Sequence, residues 1–163
     1  MSIDFRPDSE FGKSLVNWWE GLEEDRGSRA ELRRCKDPIQ VIMTPVFHRQ
    51  LQQWRPLFDG QRSYENRLAQ MVGLVAHVKD HQPSNSIAIQ MAQVRNGKPT
   101  VSEYRFRRLI QRDREDLYSA MIRVLRLLGG RADILSIAES VYFWGDDMRK
   151  KWAYAYYENL PEN

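Results

Sequence analysis

Residues 102–130 read SEYRFRRLIQRDREDLYSAMIRVLRLLGG, and apolar side chains return along this stretch in steps of three and four. Phe106, Ile110, Leu117, Met121, Val124 and Leu128 fall on one face of a 3.6-residue helix, with Asp113 the one polar member of the stripe. Ser102 stands where an N-cap belongs, and Gly129 with Gly130 ends the pattern. The spacing predicts one long amphipathic helix. Its opening half carries Arg105, Arg107, Arg108, Arg112 and Arg114, five arginines within ten residues. Arg105, Arg108 and Arg112 lie opposite the apolar stripe and project together as a ridge, an arrangement suited to a polyanion.

Outward from this segment the helical period continues. Toward the N-terminus, Phe11, Leu15, Trp18 and Leu22 recur at helical spacing behind Ser9, a residue suited to an N-cap. Ser28 with Glu31 makes a capping box for a short basic helix through Cys35. Asp37 before Pro38, and Thr44 before Pro45, each pair a capping residue with proline at the first helical position, predicting short helices over 39–43 and 46–54. Ser63 opens a helix to about Val78 with Leu68, Val72 and Val75 inward, and 86–94 continues in the same style. Toward the C-terminus, Asp133 caps a helix through Tyr142, Gly145 ends it, and Asp146 or Asp147 begins a last helix bearing Met148, Trp152, Tyr156 and Leu160.

No stretch shows the period-two alternation of β-branched residues that strands require. The fold class expected is all-α. The succession Asn96, Gly97, Lys98, Pro99 is the strongest break in the chain and places a boundary there. Two small helical bundles are expected, 1–97 and 98–163, the second an antiparallel three-helix arrangement.

The chain has 163 residues, 42% of them hydrophobic and eighteen aromatic, enough for one solid core or two small ones. The lone Cys35 cannot form an intrachain disulfide and suits a reducing cytoplasm. The N-terminal segment is acidic and mixed, unlike a signal peptide, and no apolar run nears the ~18 residues of a membrane span. A cytoplasmic protein is expected.

Local charge is more informative than the formal net of +3. Residues 1–25 hold seven acids against Arg6 and Lys13, whereas 26–36 hold Arg26, Arg29, Arg33, Arg34 and Lys36 against Glu31. Residues 95–114 hold seven bases against Glu103 and Asp113. Arg29 and Arg33 are stacked by four with Arg34 adjacent. Arg149, Lys150 and Lys151 put positive charge at a helix start, where it opposes the dipole. Such basic ridges suit backbone phosphates better than base edges, so binding should be salt-sensitive and nearly indifferent to sequence.

Catalytic constellations are weak. Asp113 reads as structural, a buried ion pair or a helix cap, rather than as a catalytic acid. His77 and His81 lie one helical turn apart without a third ligand at a familiar spacing, and Cys35 lacks a nucleophile's context. No glycine-rich phosphate loop, nucleophile elbow or cysteine pair is present. The expectation is no enzyme, no metal and no cofactor. Trp18, Trp144 and Trp152 sit on apolar faces and read as core, while Trp19 and Trp54 lie off the clearest seams and suit a protein interface.

Three segments together resemble a known family: GSRAELRR at 27–34, SEYRFRRLIQRDR at 102–114, and Trp144 with Gly145 followed by a basic-aromatic helix. They follow a tryptophan-containing first helix. The chain is similar over nearly its whole length to CasB, the small-subunit family of the type I-E CRISPR surveillance complex Cascade. The resemblance implies two helical bundles without chemistry of their own, two copies side by side in the complex, and contacts with its large subunit and its repeated backbone subunit. It also implies support of the guide RNA–target DNA hybrid and retention of the displaced DNA strand, with sequence recognition left to the guide. Arg34, Arg105, Arg107, Arg108, Arg112 and Arg114 match basic places in the family motif, as do Arg149 and Lys150; Asp146 and Asp147 depart from it. The rival expectation is a helical interaction scaffold whose arginines pair with acidic partners. A metal-dependent nuclease built on His77, His81 and Asp113 ranks last.

Overall fold

A computed structural model describes residues 3–161. The chain runs through α1 (Glu10–Gly21), α2 (Arg26–Arg34), α3 (Pro38–Ile42) and α4 (Pro45–Trp54), then a single tight turn of helix over Arg55–Phe58 and α5 (Tyr64–Val75). After β1 (Asp80–His81) come α6 (Ile87–Ala92), β2 (Val94–Arg95), β3 (Lys98–Pro99), α7 (Glu103–Ile110) and α8 (Arg114–Leu127). The strand β4 (Arg131–Ala132), α9 (Ile134–Tyr142) and α10 (Asp146–Glu158) complete it. The protein is all-α apart from two pairs of two-residue strands among the described residues: β1 with β4 in parallel, and the hairpin β2–β3. Asn96 and Gly97 form the hairpin's turn at φ of +53° and +78°, a left-handed pair that Asn-Gly adopts at little cost. The sequence marked this break, but the few ladder bonds that follow it are too short to leave a period-two signature.

The caps explain most element boundaries. The Oγ of Ser9 accepts from the Gly12 amide at 2.9 Å, Asp37 from Gln40 at 2.9 Å, and Asp133 from Leu135 at 2.9 Å. Thr44 caps α4, followed by proline at its first position. Asp25, rather than Ser28, caps α2 by accepting from the Ser28 amide at 3.2 Å, so that helix starts nearly a turn before the capping box suggested.

The centre of the molecule is α5. Every residue from 68 to 75 is buried and all but Gln70 are non-polar, as in a helix enclosed by others. It packs chiefly against α9 and α3, with α2, α4 and α8 also against it. Gly73 permits the closest approach: a Cβ there would lie 2.2 Å from the Tyr118 hydroxyl of α8 and 2.8 Å from Val41 of α3. Side chains from both sides of the 96–99 turn enter one apolar cluster, with α6 packed on α10 and α1 on α9. Trp19 and Trp54 are core residues, 5% and 1% exposed, with indole N–H groups donating to the Val78 carbonyl and the Ser14 hydroxyl. Trp18 is only partly buried. This reverses the order expected from the seam of α1, because the segment from Val78 to His81 closes over its Trp19 side. No helix among the described residues is long and apolar enough to cross a membrane.

The expected single helix over 102–128 is two helices, α7 and α8, separated at Gln111, Arg112 and Asp113. Asp113 is backbone-extended (ψ 175°), exposed, and accepts from the Asp116 amide at 3.1 Å as the N-cap of α8. Its carboxylate therefore never enters the core. Apolar spacing stayed in phase across the three-residue turn, which hid the break. The freed Arg112 carbonyl is met twice, by Trp144 Nε1 at 2.8 Å and by Arg149 Nη2 at 2.7 Å.

Candidate nucleic-acid interface

Phe106 sets the orientation of α7. It is fully buried and stacks on Tyr156 of α10 with ring centroids 3.9 Å apart, while the Tyr156 hydroxyl donates to the Val101 carbonyl at 2.6 Å. Leu109 is buried beside it. With that face inward, helical geometry turns Arg105 and Arg108 outward toward α8. The turn at 111–113 then folds α8 back so that Arg123 and Arg126 come to the same side.

The result is a cleft of about 510 Å³ between α7 and α8, with Val101, Leu109, Ala120, Val124 and Leu127 forming an apolar floor. Arg105, Arg108, Arg112, Arg123 and Arg126 form its walls, and no carboxylate among the described residues lines it. None of these five takes part in an ion pair among the described residues. Arg108 lies 5.7 Å from the centroid of the Tyr104 ring and donates to its hydroxyl at 3.2 Å; Tyr104 is 67% exposed. Like charges gathered without counter-ions on a low-dielectric floor raise the local positive potential and concentrate anions. Guanidinium planes and an exposed phenol ring add stacking surface for bases.

The other sequence candidates divide differently. Arg107 is exposed on α7 but lies outside the cleft, and neither Arg34 nor Lys150, both exposed, lines it. Four arginines are tied to main-chain carbonyls. Arg29 Nη2 donates to Val78 at 2.7 Å and Arg33 Nε to Ala76 at 2.8 Å, satisfying carbonyls that α5 leaves open at its C-terminus. Arg114 reaches Val141 at 2.7 Å, Tyr142 at 3.0 Å and Trp144 at 3.2 Å, closing the end of α9. Burial pushes its guanidinium down to about 10, with the Arg67 charge adding to the shift, so it remains cationic at neutral pH. Arg149 bonds the Arg112 carbonyl and pairs with Asp146 at 3.1 Å. These four hold the fold together. Sequence reasoning missed Arg123 and Arg126, whose i, i+3 spacing was legible but which, read on one unbroken helix, stood beyond the ridge.

The metal reading finds no support in the geometry. His81 Nδ1 accepts from the Ile134 amide at 3.1 Å, and burial, reinforced by Arg33 and Arg126, holds His77 down to about 4. No group of three or more metal-ligating side chains comes together among the described residues.

The sequence profile of the CRISPR-associated protein Cse2 family matches residues 28–157. The chain belongs to the Cse2 family. That is the CasB small-subunit family which the arginine-rich run resembles. The matched region contains α7, α8 and all five cleft arginines. Among solved structures, a chain in the crystal structure of E. coli Cascade bound to a PAM-containing double-stranded DNA target superposes with a TM-score of 0.71 at 23% identity. The match covers 93% of this chain and 97% of that chain, and at this identity it speaks for a shared fold. No curated protein sequence matches significantly.

Proposed function

We propose that this Cse2-family protein is a non-catalytic, nucleic-acid-binding subunit of a cytoplasmic type I-E Cascade assembly, where it supports the guide RNA–target DNA hybrid and holds the displaced strand during antiviral defence. The observation that carries this reading is the α7–α8 cleft: five arginines over an apolar floor, with no opposing carboxylate among the described residues. Sequence-independent strand binding needs that chemistry, since backbone phosphates supply most of the affinity and stacked bases the remainder. Family membership and the fold shared with a chain of E. coli Cascade support the setting. Within it, the partners are guide RNA, both target strands, the large subunit, the repeated backbone subunit and a second copy of this chain. Ile39 and Met43, exposed one turn apart at α3, are apolar surface of the kind subunit contacts cover.

The test is co-expression of the tagged chain with the other subunits and a guide RNA, then duplex-target binding by the assembly with and without it. Co-purification, and weaker or less stable opened DNA when the chain is omitted, are expected. An assembly that forms and opens DNA equally well without the chain contradicts the reading.

A further inference from the structure

On the far side of α8 from the cleft lies a second pocket. It has a volume of about 270 Å³ and is walled by Arg33 of α2, His77 and Lys79 beyond the end of α5, and Arg126 of α8. Its lining includes no carboxylate among the described residues. Two of its polar atoms are buried and unpaired: Arg33 Nη2 and His77 Nε2. Arg33 directs Nε to the Ala76 carbonyl, and its Nη2 is left without a partner. Buried polar atoms without partners are uncommon, so their coincidence in one basic cavity calls for a partner. Gly130 shapes the opposite wall: its φ is +75°, and a Cβ would sit 3.0 Å from the Lys79 stem, so glycine allows that chain to lie flat with its ammonium at the rim.

We propose that this pocket binds a phosphate group. Arg33 and His77 donate from the floor, and Lys79 and Arg126 close over it from solvent. Charge-assisted bonds from a guanidinium fork fit a tetrahedral oxyanion, and several cations together outweigh the negative end of the α5 dipole. The volume admits the group with accompanying water. His77 faces Arg33 and Arg126, whose charges disfavour its protonated form. An anion placed between them reverses that field and raises the affinity of His77 for a proton. Arg126 lines both this pocket and the cleft, so the phosphate can come from a strand that continues across α8 or from a small phosphorylated ligand.

The chain has three histidines, which makes their ring signals separable by NMR. Inorganic phosphate titrated into the full chain at fixed ionic strength should move the His77 signals saturably and raise their titration midpoint, leaving His48 and His81 in place. Lys79→Ala, a change to an exposed side chain, should weaken the response roughly tenfold without loss of folding. An unphosphorylated single-stranded oligonucleotide that competes for the same His77 shift, with the same loss in Lys79→Ala, assigns the phosphate to a nucleic-acid backbone; competition by small phosphomonoesters alone assigns it to a free ligand. His77 signals that stay fixed, or that move equally with chloride, mean an adventitious ion only and overturn the site. Failure here leaves the cleft untouched, because the cleft is read from Arg105→Glu with Arg108→Glu against DNA.

Discussion

Arg108 on α7 and Arg114 at the start of α8 stand six positions apart in one basic run, and they do opposite work. Arg108 is exposed, with the Tyr104 ring 5.7 Å away and its hydroxyl accepting at 3.2 Å. Arg114 is drawn in and donates to three main-chain carbonyls at the end of α9, as well as to Gln70 at 3.2 Å. Arg29, Arg33 and Arg149 repeat the second pattern. An arginine opposite a helix C-terminus becomes part of the fold, because open carbonyls and a partial negative charge meet it there. One facing another arginine across an apolar floor has no such partner, and on the proposed reading it meets an anion. Charge density in the sequence identifies both kinds without separating them.

That contrast is most severely strained at Arg114. Arg114→Ala removes one donor from each of three carbonyls at the end of α9, of which Tyr142 keeps Arg67 at 3.2 Å and Val141 keeps the Trp144 amide at 3.4 Å, and should lower unfolding free energy by about 2–3 kcal/mol, measured by denaturant titration, with Arg114→Lys restoring only part because a single ammonium cannot span the fork. On the other side, Arg105→Glu combined with Arg108→Glu should reduce single-strand affinity roughly a hundredfold, while stability stays within about 0.5 kcal/mol. A smaller sharpening is Arg123→Ala, which the sequence alone would not have suggested: affinity should fall several-fold and the salt slope by about 0.7, the share of one phosphate contact on a single strand.

The smallest effect concerns pH. His77 is held down to about 4 from an ordinary 6.5, first by burial and then by Arg33 and Arg126, so between those values the unfolded chain binds the proton more readily than the folded one. Stability is therefore full above about 6.5 and declines as pH falls toward 4. Allowing for the partial solvent exposure of the ring, the loss is of order 1 kcal/mol, and His77→Phe should flatten that part of the thermal unfolding profile.

Helix content and most caps were legible in the sequence, because Ser9, Asp37, Thr44 and Asp133 act through bonds to amides two or three residues away. The break at 111–113 was not, since Ile110 and Leu117 keep a helical interval across it and only the Asp113-to-Asp116 cap betrays it. The burial of Trp19 and Trp54 was missed although Leu15 with Trp19, and Phe47, Leu51 and Trp54, keep helical spacing, because the groups that receive their indole N–H, the Val78 carbonyl and the Ser14 hydroxyl, are distant in sequence. For the site, Arg105, Arg108 and Arg112 were legible as a ridge, but Arg123 and Arg126 join them only because the chain turns back. The tying of Arg29, Arg33, Arg114 and Arg149 to carbonyls depends on tertiary neighbours as many as 49 residues away, which no local pattern records.

The most direct test is the dependence of single-stranded DNA affinity on salt, wild type against a chain with Arg105, Arg108, Arg123 and Arg126 all changed to glutamine. The cleft predicts that the slope of log affinity against log salt shrinks by roughly 3, about 0.7 for each phosphate released, while the unfolding midpoint is unmoved. An unchanged slope, or a slope lost instead with Arg114→Lys, would contradict the division between arginines that bind a strand and arginines that hold the helices.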